Sequence, residues 1–482
     1  MLLLILLGLA VRLRGLVVPA RGLWIDEAFS IWLAELPPLR AVQVIASIDQ
    51  HPPLYALLLH FWLTAGDDPW WVRLPSVFVG TATIPVAARL ARTVAGRRAG
   101  LIAGVLFAFS PILVRYAQEA RMYALVVLET ALMALFLVRA VDQPERRDCW
   151  LGLGLSVLLL LYTHNITLFL VLSAAVFLLW RAGSQPCIRR PMLVTTGGVM
   201  LAWLPWMPVL VHQSAGVIQR FWITMPGPAE IADTLQDLVD AFPPMAVSIA
   251  GLSVPVGRLG PFLLLPFALL ALVGERRWRR RPVGFFLVIF AGPLLMDLGL
   301  SLWRPIFEER VLLYTVVGIL LLVALGIAAP RRGIWSGILL GAVLALYLGS
   351  LETYNREFAK ERWQDVAAYV AGHARAGDLI LFNATWTQLP FDYYYHRDQG
   401  PWLVEHGLPV DLFDRGLLEP PMLESDVPTV ARLTASVDHA WLILSHDWYN
   451  DPRHLIRPAM RALFQREEVH EFGNILLIRY QR

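Results

Sequence analysis

Lysine is almost missing from this sequence: 482 residues carry one Lys, Lys360, against 40 Arg. Charge of either sign is scarce. Asp, Glu, Lys and Arg make up 16% of the chain, where a soluble chain carries about 25%. Hydrophobic residues reach 57% and mean hydropathy is +0.56, which excludes an ordinary soluble enzyme, a disordered chain and a nucleic-acid binder. Cysteine is limited to Cys149 and Cys187, each beside an Arg-rich connection. A disulfide framework is therefore not expected, and no Cys/His spacing resembles a zinc site. Internal repeats are absent, and the GLGLG at 152–156 lies inside an apolar run, so it is not a dinucleotide loop.

The charge that is present is unevenly placed. Residues 1–350 carry 28 Arg against 19 acids, a balance of +9, and residues 351–482 carry 13 basic against 19 acidic residues, or −6. Apolar runs near the spanning length of ~20 residues fall at about 1–18, 72–92, 99–114, 119–140, 149–163, 166–181, 191–211, 259–274, 282–303, 310–329 and 333–350. Seventeen Arg and four acids lie in five short connections, at 89–98, 139–148, 181–190, 275–281 and 331–332. The positive-inside rule puts those connections in the cytoplasm. The run at 52–66 must then lie in the interface, because a crossing there would flip the 89–98 cluster outside. Eleven spans follow, with the N-terminus inside, the C-terminus outside and an extracytoplasmic first loop over 19–71. The first segment lacks the basic start of a signal peptide. Arg12 and Arg14 fall toward its outer end, where they are expected to snorkel or bind a phosphate.

From 351 onward the pattern changes. WQDVAAYVAGHA and PRHLIRPAMRALF have helical spacing, while DLILF, AWLILS and ILLIRY read as buried strands. The fold class is a membrane all-α bundle over 1–350 with a C-terminal extracytoplasmic α/β domain over 351–482.

Polar residues near membrane depth need a reason, and here they gather in the extracytoplasmic connections. GLWIDEAFSIWLAEL places Asp26 and Glu27 at the start of an amphipathic helix, where they read as helix caps or as a general base with an acidic neighbour. QHPPLY carries His51 before a proline-initiated helix. In SPILVRYAQEARMY, Arg115 and Glu119 are spaced to pair on one helix face, and Arg121 and Tyr123 enter the membrane. YTHN puts His164 in a tight outer hairpin, and RPIFEER brackets Glu308 and Glu309 with Arg304 and Arg310. An acidic pair with several Arg and His on one face suits a phosphate-bearing lipid and a hydroxyl nucleophile.

In order, these strings (DE, then HPPL, then SP-x4-Y-x-QEAR-x-Y) resemble the family 39-type glycosyltransferases. That group belongs to the GT-C membrane glycosyltransferases, with the protein O-mannosyltransferases and the bacterial aminoarabinose transferases that modify lipid A. The resemblance covers about 1–350 and is densest over 22–140. It implies a GT-C bundle of about eleven transmembrane helices. It also implies inverting transfer of a hexose or pentose from a polyprenyl-phosphate carrier to an outer-face lipid or envelope-glycan acceptor. Asp26 is then the catalytic carboxylate, with Glu27 beside it; His51, Arg121 and Arg310 receive the donor phosphate; Glu119, Tyr123 and His164 are accessory. The protein mannosyltransferases follow HPPL closely with a Lys, whereas this chain has Tyr55 and Ala56 there. That departure and the Arg-rich composition point toward a bacterial envelope enzyme of the cell membrane, with partners among membrane lipids and none among nucleic acids. No cofactor is required by the reading, although Asp26 with Glu27 could hold a divalent cation. The competing class is a secondary transporter or lipid flippase that would use Glu129 and Asp297 as coupling groups, but no repeated halves are found.

Overall fold

The computed structural model describes the chain except residues 17–20, 220–222, 224, 240–246, 250–251, 255–259, 276–284, 286, 399 and 413–420. The chain divides into two compact units. One comprises Met1–Leu16, Gln50–Leu58 and Trp70–Phe358; the other comprises Val17–Asp49, Leu59–Pro69 and Ala359–Arg482.

The first unit is a helical bundle. Five of its helices, Leu74–Ala95, Tyr123–Asp142, Thr167–Ser184, Pro186–Ala215 and Gly333–Glu357, are long and apolar enough to cross a membrane. A sixth candidate is the pair Arg97–Phe109 and Pro111–Ala117, bent by 54° at the Ser110–Pro111 step, where proline removes a helix N–H. Leu2–Leu13, Leu265–Gly274, Ile289–Ser301 and Leu313–Ala328 are apolar but shorter. The described residues thus give an integral membrane bundle and leave the count of eleven open. The expected connection at 275–281 lies, but for Glu275, outside them. The apolar helix Leu54–Leu63 within the 52–66 run has ten residues, about 15 Å by helix rise against a hydrocarbon core of about 30 Å.

Leu74–Ala95 packs on Arg97–Phe109 and on Tyr123–Asp142, which in turn meets Arg147–Thr163. Gly96 makes the first of these reversals possible. Its φ of 91° suits glycine, and its N–H closes the preceding helix on the Arg92 carbonyl.

The sequence expectation for Arg12 is corrected here. Its side chain is fully buried. It donates to the carbonyls of Gly8, Ala108 and Phe107 at 3.0, 3.0 and 2.9 Å. Those of Phe107 and Ala108 are at the C-terminal end of Arg97–Phe109, where the helix leaves carbonyls unpaired and a cation is favoured. Arg12 therefore neither snorkels nor waits for a phosphate. Gln118 of the QEAR string is tied to the same joint: its amide donates to the Arg12 carbonyl at 2.7 Å and its oxygen accepts from Tyr354 at 2.8 Å.

Two short strands, β1 (Val247–Ile249) and β2 (Leu252–Val254), pair antiparallel in the bundle unit. In the second unit a five-stranded sheet has the order β4-β3-β5-β7-β6. Its strands are β3 (Leu379–Asn383), β4 (Val404–Gly407), β5 (His439–Leu444), β6 (Arg466–Phe472) and β7 (Ile475–Gln481). β4, β3 and β5 are parallel, and β7 and β6 continue antiparallel through a turn with Gly473 at φ 67°. The three strands read from the sequence form as expected, with helices at Trp363–His373 and Ile456–Leu463. β4 and β6 were not foreseen, because VEHG is short and REEVHEF is a charged edge strand. Leu381, Leu442, Val430, Met460 and Ile478 fill one face of the sheet.

Two segments of the first loop fold onto this α/β domain rather than standing alone. The run FDYYYH is the joint. Phe391, Tyr394 and Tyr395 are buried, the Tyr394 hydroxyl accepts from the Leu23 N–H at 2.7 Å, and the Tyr393 hydroxyl donates to the Asp67 carbonyl.

Candidate functional site

In the bundle unit, helix ends bring the expected His and Arg residues together. His164 ends Arg147–Thr163 in an extended conformation, and its ring packs edge-on to His51 with centroids 4.8 Å apart. Tyr123, the first residue of its helix, lies 6.4 Å from the same ring and carries the Arg121 guanidinium 5.9 Å from its own centroid. Burial, then the charges of His51, Arg121 and Arg310, hold His164 well below the ordinary histidine range. It is therefore neutral. Its Nδ1 accepts from the Ile166 N–H at 3.3 Å, which leaves the proton on Nε2. That buried Nε2 has no hydrogen-bond partner among the described residues. The cluster thus combines positive side chains with a neutral ring that has a donor to spare, a set suited to an anion.

The HPPLY string fixes this arrangement. The Tyr55 and Ser76 hydroxyls are 3.2 Å apart, and Ser76 donates to the Arg121 carbonyl at 3.2 Å. Tyr55 thus occupies a place from which it steadies Arg121 through Ser76. Asn165, next to His164, donates to the Gln50 carbonyl and to Gln213, both at 2.9 Å, so the hairpin and the His51 segment are held as one piece.

A second group lies in the same unit. Pro111–Ala117 ends before Glu119, so Arg115 and Glu119 do not share a helix face as their spacing suggested. Arg115 pairs directly with Glu309 at 2.5 Å, an oxygen that also accepts from Tyr116 at 2.5 Å. Glu119 remains an electrostatic neighbour of Arg115 and Tyr116. Asp237, which the sequence did not single out, joins through Glu309; burial and that carboxylate push it upward. The transporter-type candidates lie elsewhere: Glu129 accepts from Thr163 at 2.9 Å, and Asp297 is fully buried.

The acidic pair belongs to the other unit. The helix Ile25–Glu35 has Trp24, not Asp26, at its N-cap, with no side-chain cap bond there. Asp26 is partly exposed in the first turn. Glu27 is fully buried and accepts from Lys360 Nζ at 2.8 Å, with 6% of the lysine side chain exposed. Lys360 Nζ also lies 5.6 Å from the centre of the Trp24 ring. A cation is therefore already supplied to Glu27 by the chain's single lysine. Among the described residues no group of three or more His, Cys, Asp or Glu is arranged around a metal position. Lys360, Glu361 and His446 were missed by sequence reasoning; the one available signal was the isolation of Lys360 in a lysine-free chain.

Residues 50–212 match the family described as dolichyl-phosphate-mannose-protein mannosyltransferase. No curated protein matches the chain. Among solved structures, ArnT from Cupriavidus metallidurans bound to undecaprenyl phosphate is similar with a TM-score of 0.63 at 14% identity, covering 99% of this chain and 97% of that one. Its apo state gives 0.63 at 13% identity with the same coverage. The Archaeoglobus fulgidus oligosaccharyltransferase gives 0.59 at 11% identity, over 98% of this chain and 72% of that one. Residues 50–212 thus carry that mannosyltransferase family's sequence pattern, and the chain as a whole shares the fold of the ArnT structures.

Proposed function

We propose that the chain is an inverting glycosyltransferase that moves a sugar from a polyprenyl-phosphate carrier to a lipid or envelope-glycan acceptor outside the bacterial cell membrane. The observation that carries this reading is the cluster of His51 with the guanidinium groups of Arg121 and Arg310 around a neutral His164 whose Nε2–H is unpaired among the described residues. A leaving polyprenyl phosphate would gather negative charge there, and fixed donors stabilise such charge most where it develops. The similarity to an ArnT structure containing undecaprenyl phosphate supports the carrier class.

In the proposed reaction the acceptor oxygen bonds to the anomeric carbon as the carbon–oxygen bond to phosphate breaks. The electron pair leaves with the phosphate, and the hydroxyl proton passes to Asp26. Asp26 suits the role because, unlike Glu27, it is partly exposed. The test uses purified wild type beside Asp26→Asn, with short-chain polyprenyl-phosphate sugars as donors. Turnover should fall by roughly 10²–10⁴-fold, as for loss of a general base, while donor binding persists. Transfer at the wild-type rate would remove Asp26 from the chemistry. The proposed sidedness is checked separately on a cysteine-free background. An impermeant thiol reagent should label single cysteines placed at 39 or 448 from outside, and none placed at 331.

A further inference from the structure

The α/β domain holds unused hydrogen-bonding capacity at the carboxyl ends of its parallel strands. In the sheet order β4-β3-β5-β7-β6, the chain leaves β3 for β4 on one side and leaves β5 for β6 and β7 on the other. The two strand ends diverge, and in open α/β sheets the crevice outside such a pair is where ligands bind. Backbone bonds hold the ends together: the Ser445 N–H donates to the Asn383 carbonyl at 2.9 Å, and the Ala384 N–H to the Ser445 carbonyl at 3.0 Å. Asn383, the last residue of β3, is fully buried. It gives Nδ2 to the Leu408 carbonyl at 3.2 Å, while its Oδ1 has no partner among the described residues. Trp386, in the turn Thr385–Thr387 after β3, is 8% exposed, and its Nε1–H likewise has no partner among them. Buried polar groups left unpaired are uncommon and call for an explanation. The Trp386 ring lies 5.2 Å from that of His446, just beyond β5, whose φ is 58°. Left-handed backbone at a residue other than glycine is held at a cost and gathers at ligand sites. His446 Nδ1 is 3.0 Å from the Ser445 hydroxyl. Its Nε2 faces Glu361 Oε1 at 3.6 Å, too long for a direct hydrogen bond and a gap that one hydroxyl oxygen can bridge. Glu361 is fixed at its other oxygen, which accepts from Trp363 Nε1 at 2.6 Å.

We propose that Trp386, His446 and Glu361 form a binding subsite for a neutral sugar ring at the diverging ends of β3 and β5, and that this sugar belongs to the acceptor. Sugar hydroxyls both donate and accept, which matches an indole N–H beside a carboxylate and an imidazole. The indole adds an apolar face with a polar edge. The Glu361 carboxylate disfavours a phosphate at the same place. Assigning the sugar to the acceptor rests on the proposed transfer with Asp26 as base, and two contacts bring the Asp26 segment here. Lys360, next to Glu361, pairs with Glu27 at 2.8 Å. A β-carbon at Gly22 would lie 3.4 Å from the Glu361 carbonyl oxygen. The chain entering the Ile25–Glu35 helix therefore runs beside the subsite.

The binding test needs no turnover. Full-length protein in detergent is probed by saturation-transfer NMR with methyl glycosides of neutral hexoses and N-acetylhexosamines, and with inorganic phosphate as competitor. Wild type should give a glycoside signal that phosphate does not displace. Trp386→Phe keeps a ring and removes the N–H, and His446→Asn keeps a residue at ease in the left-handed region. Each should weaken glycoside binding by about 2–10-fold, as for one lost neutral hydrogen bond, with binding of a short-chain polyprenyl phosphate unchanged. Absence of a wild-type signal, displacement by phosphate, or undiminished binding in the variants would overturn the subsite. Parallel loss of polyprenyl-phosphate binding would also overturn it, because the residues would then be architectural. If Trp386→Phe does not fold, His446→Asn decides alone. In transfer assays with lipid extracted from bacterial envelopes as acceptor, both variants should raise the acceptor KM and leave the donor KM in place. The two claims fail separately. Variant-sensitive glycoside binding by a protein that transfers no sugar keeps the subsite, removes its acceptor role and sinks the transferase reading. Sugar transfer with an acceptor KM that neither variant moves keeps the transferase and sinks the subsite.

Discussion

The bundle unit and the tail unit spend their scarce charge in opposite ways. Around His164 the bundle gathers His51 and the guanidinium groups of Arg121 and Arg310. Around Ile25–Glu35 the other unit gathers Asp26, Glu27 and Glu361, and it answers them with one lysine and His446. In the first arrangement the neighbouring groups and burial disfavour a charge on His164. The second is largely compensated from within, by a buried ion pair and by the Trp363 donor to Glu361. A receptor for an anion should remain incomplete without its ligand, whereas a carboxylate kept for proton transfer needs surroundings that stay fixed. The two electrostatic designs therefore make different demands on mutation.

The largest expected effect in the tail unit comes from breaking compensation. Lys360→Met removes the cation from a fully buried carboxylate, and loss of one partner of a buried pair costs about 3–5 kcal/mol. The thermal midpoint of the full-length protein should drop sharply, and Glu27→Gln added to Lys360→Met should recover much of the loss. If Lys360→Met alone is as stable as wild type, the Glu27–Lys360 pair does not hold this unit together, and the contrast between the units weakens.

In the bundle the corresponding change should act on ligand rather than on stability. Arg121→Ala relieves repulsion around His164 while removing a partner of the proposed donor phosphate. Transition-state stabilisation should fall by about 2–4 kcal/mol, as for a lost oxyanion donor, with both donor binding and turnover reduced and the thermal midpoint little changed. A variant that unfolds but, once stabilised by lipid, still transfers sugar normally would show that Arg121 is architectural.

How much of this was legible in the chain depended on distance along it. The DE, HPPL and QEAR strings could be read because each is local, and their order carried the fold. The strands β3, β5 and β7 announced themselves as continuous apolar runs. By contrast, the partner of Glu27 lies 333 residues away, and no periodicity marks an ion pair of that separation. Arg12 was misjudged for a similar reason: its partners are carbonyls of another helix, which a sequence does not display. Burial of Phe391, Tyr394 and Tyr395 favours core for those rings.

The smallest expected effect is the most specific, because it concerns one proton. His164 is held neutral, accepts at Nδ1 from Ile166 and keeps its proton on Nε2. Its contribution to an anionic ligand is then a neutral N–H donor rather than a charge. A hydrogen bond to a charged group is worth about 1.5–3 kcal/mol, so His164→Phe should weaken binding of a short-chain polyprenyl phosphate by roughly 10–100-fold on that scale. His164→Gln offers an N–H of its own and should recover part of the loss. The informative axis is pH. Because the folded ring is shifted well below its ordinary range, its contribution should stay constant as pH crosses that range. The ratio of wild-type to His164→Phe affinity should therefore be flat there, even where the ligand's own ionisation changes both values. A ratio that rises toward acid through the ordinary histidine range would mean that the ring binds as a cation. The bundle's cluster would then be built on charge alone.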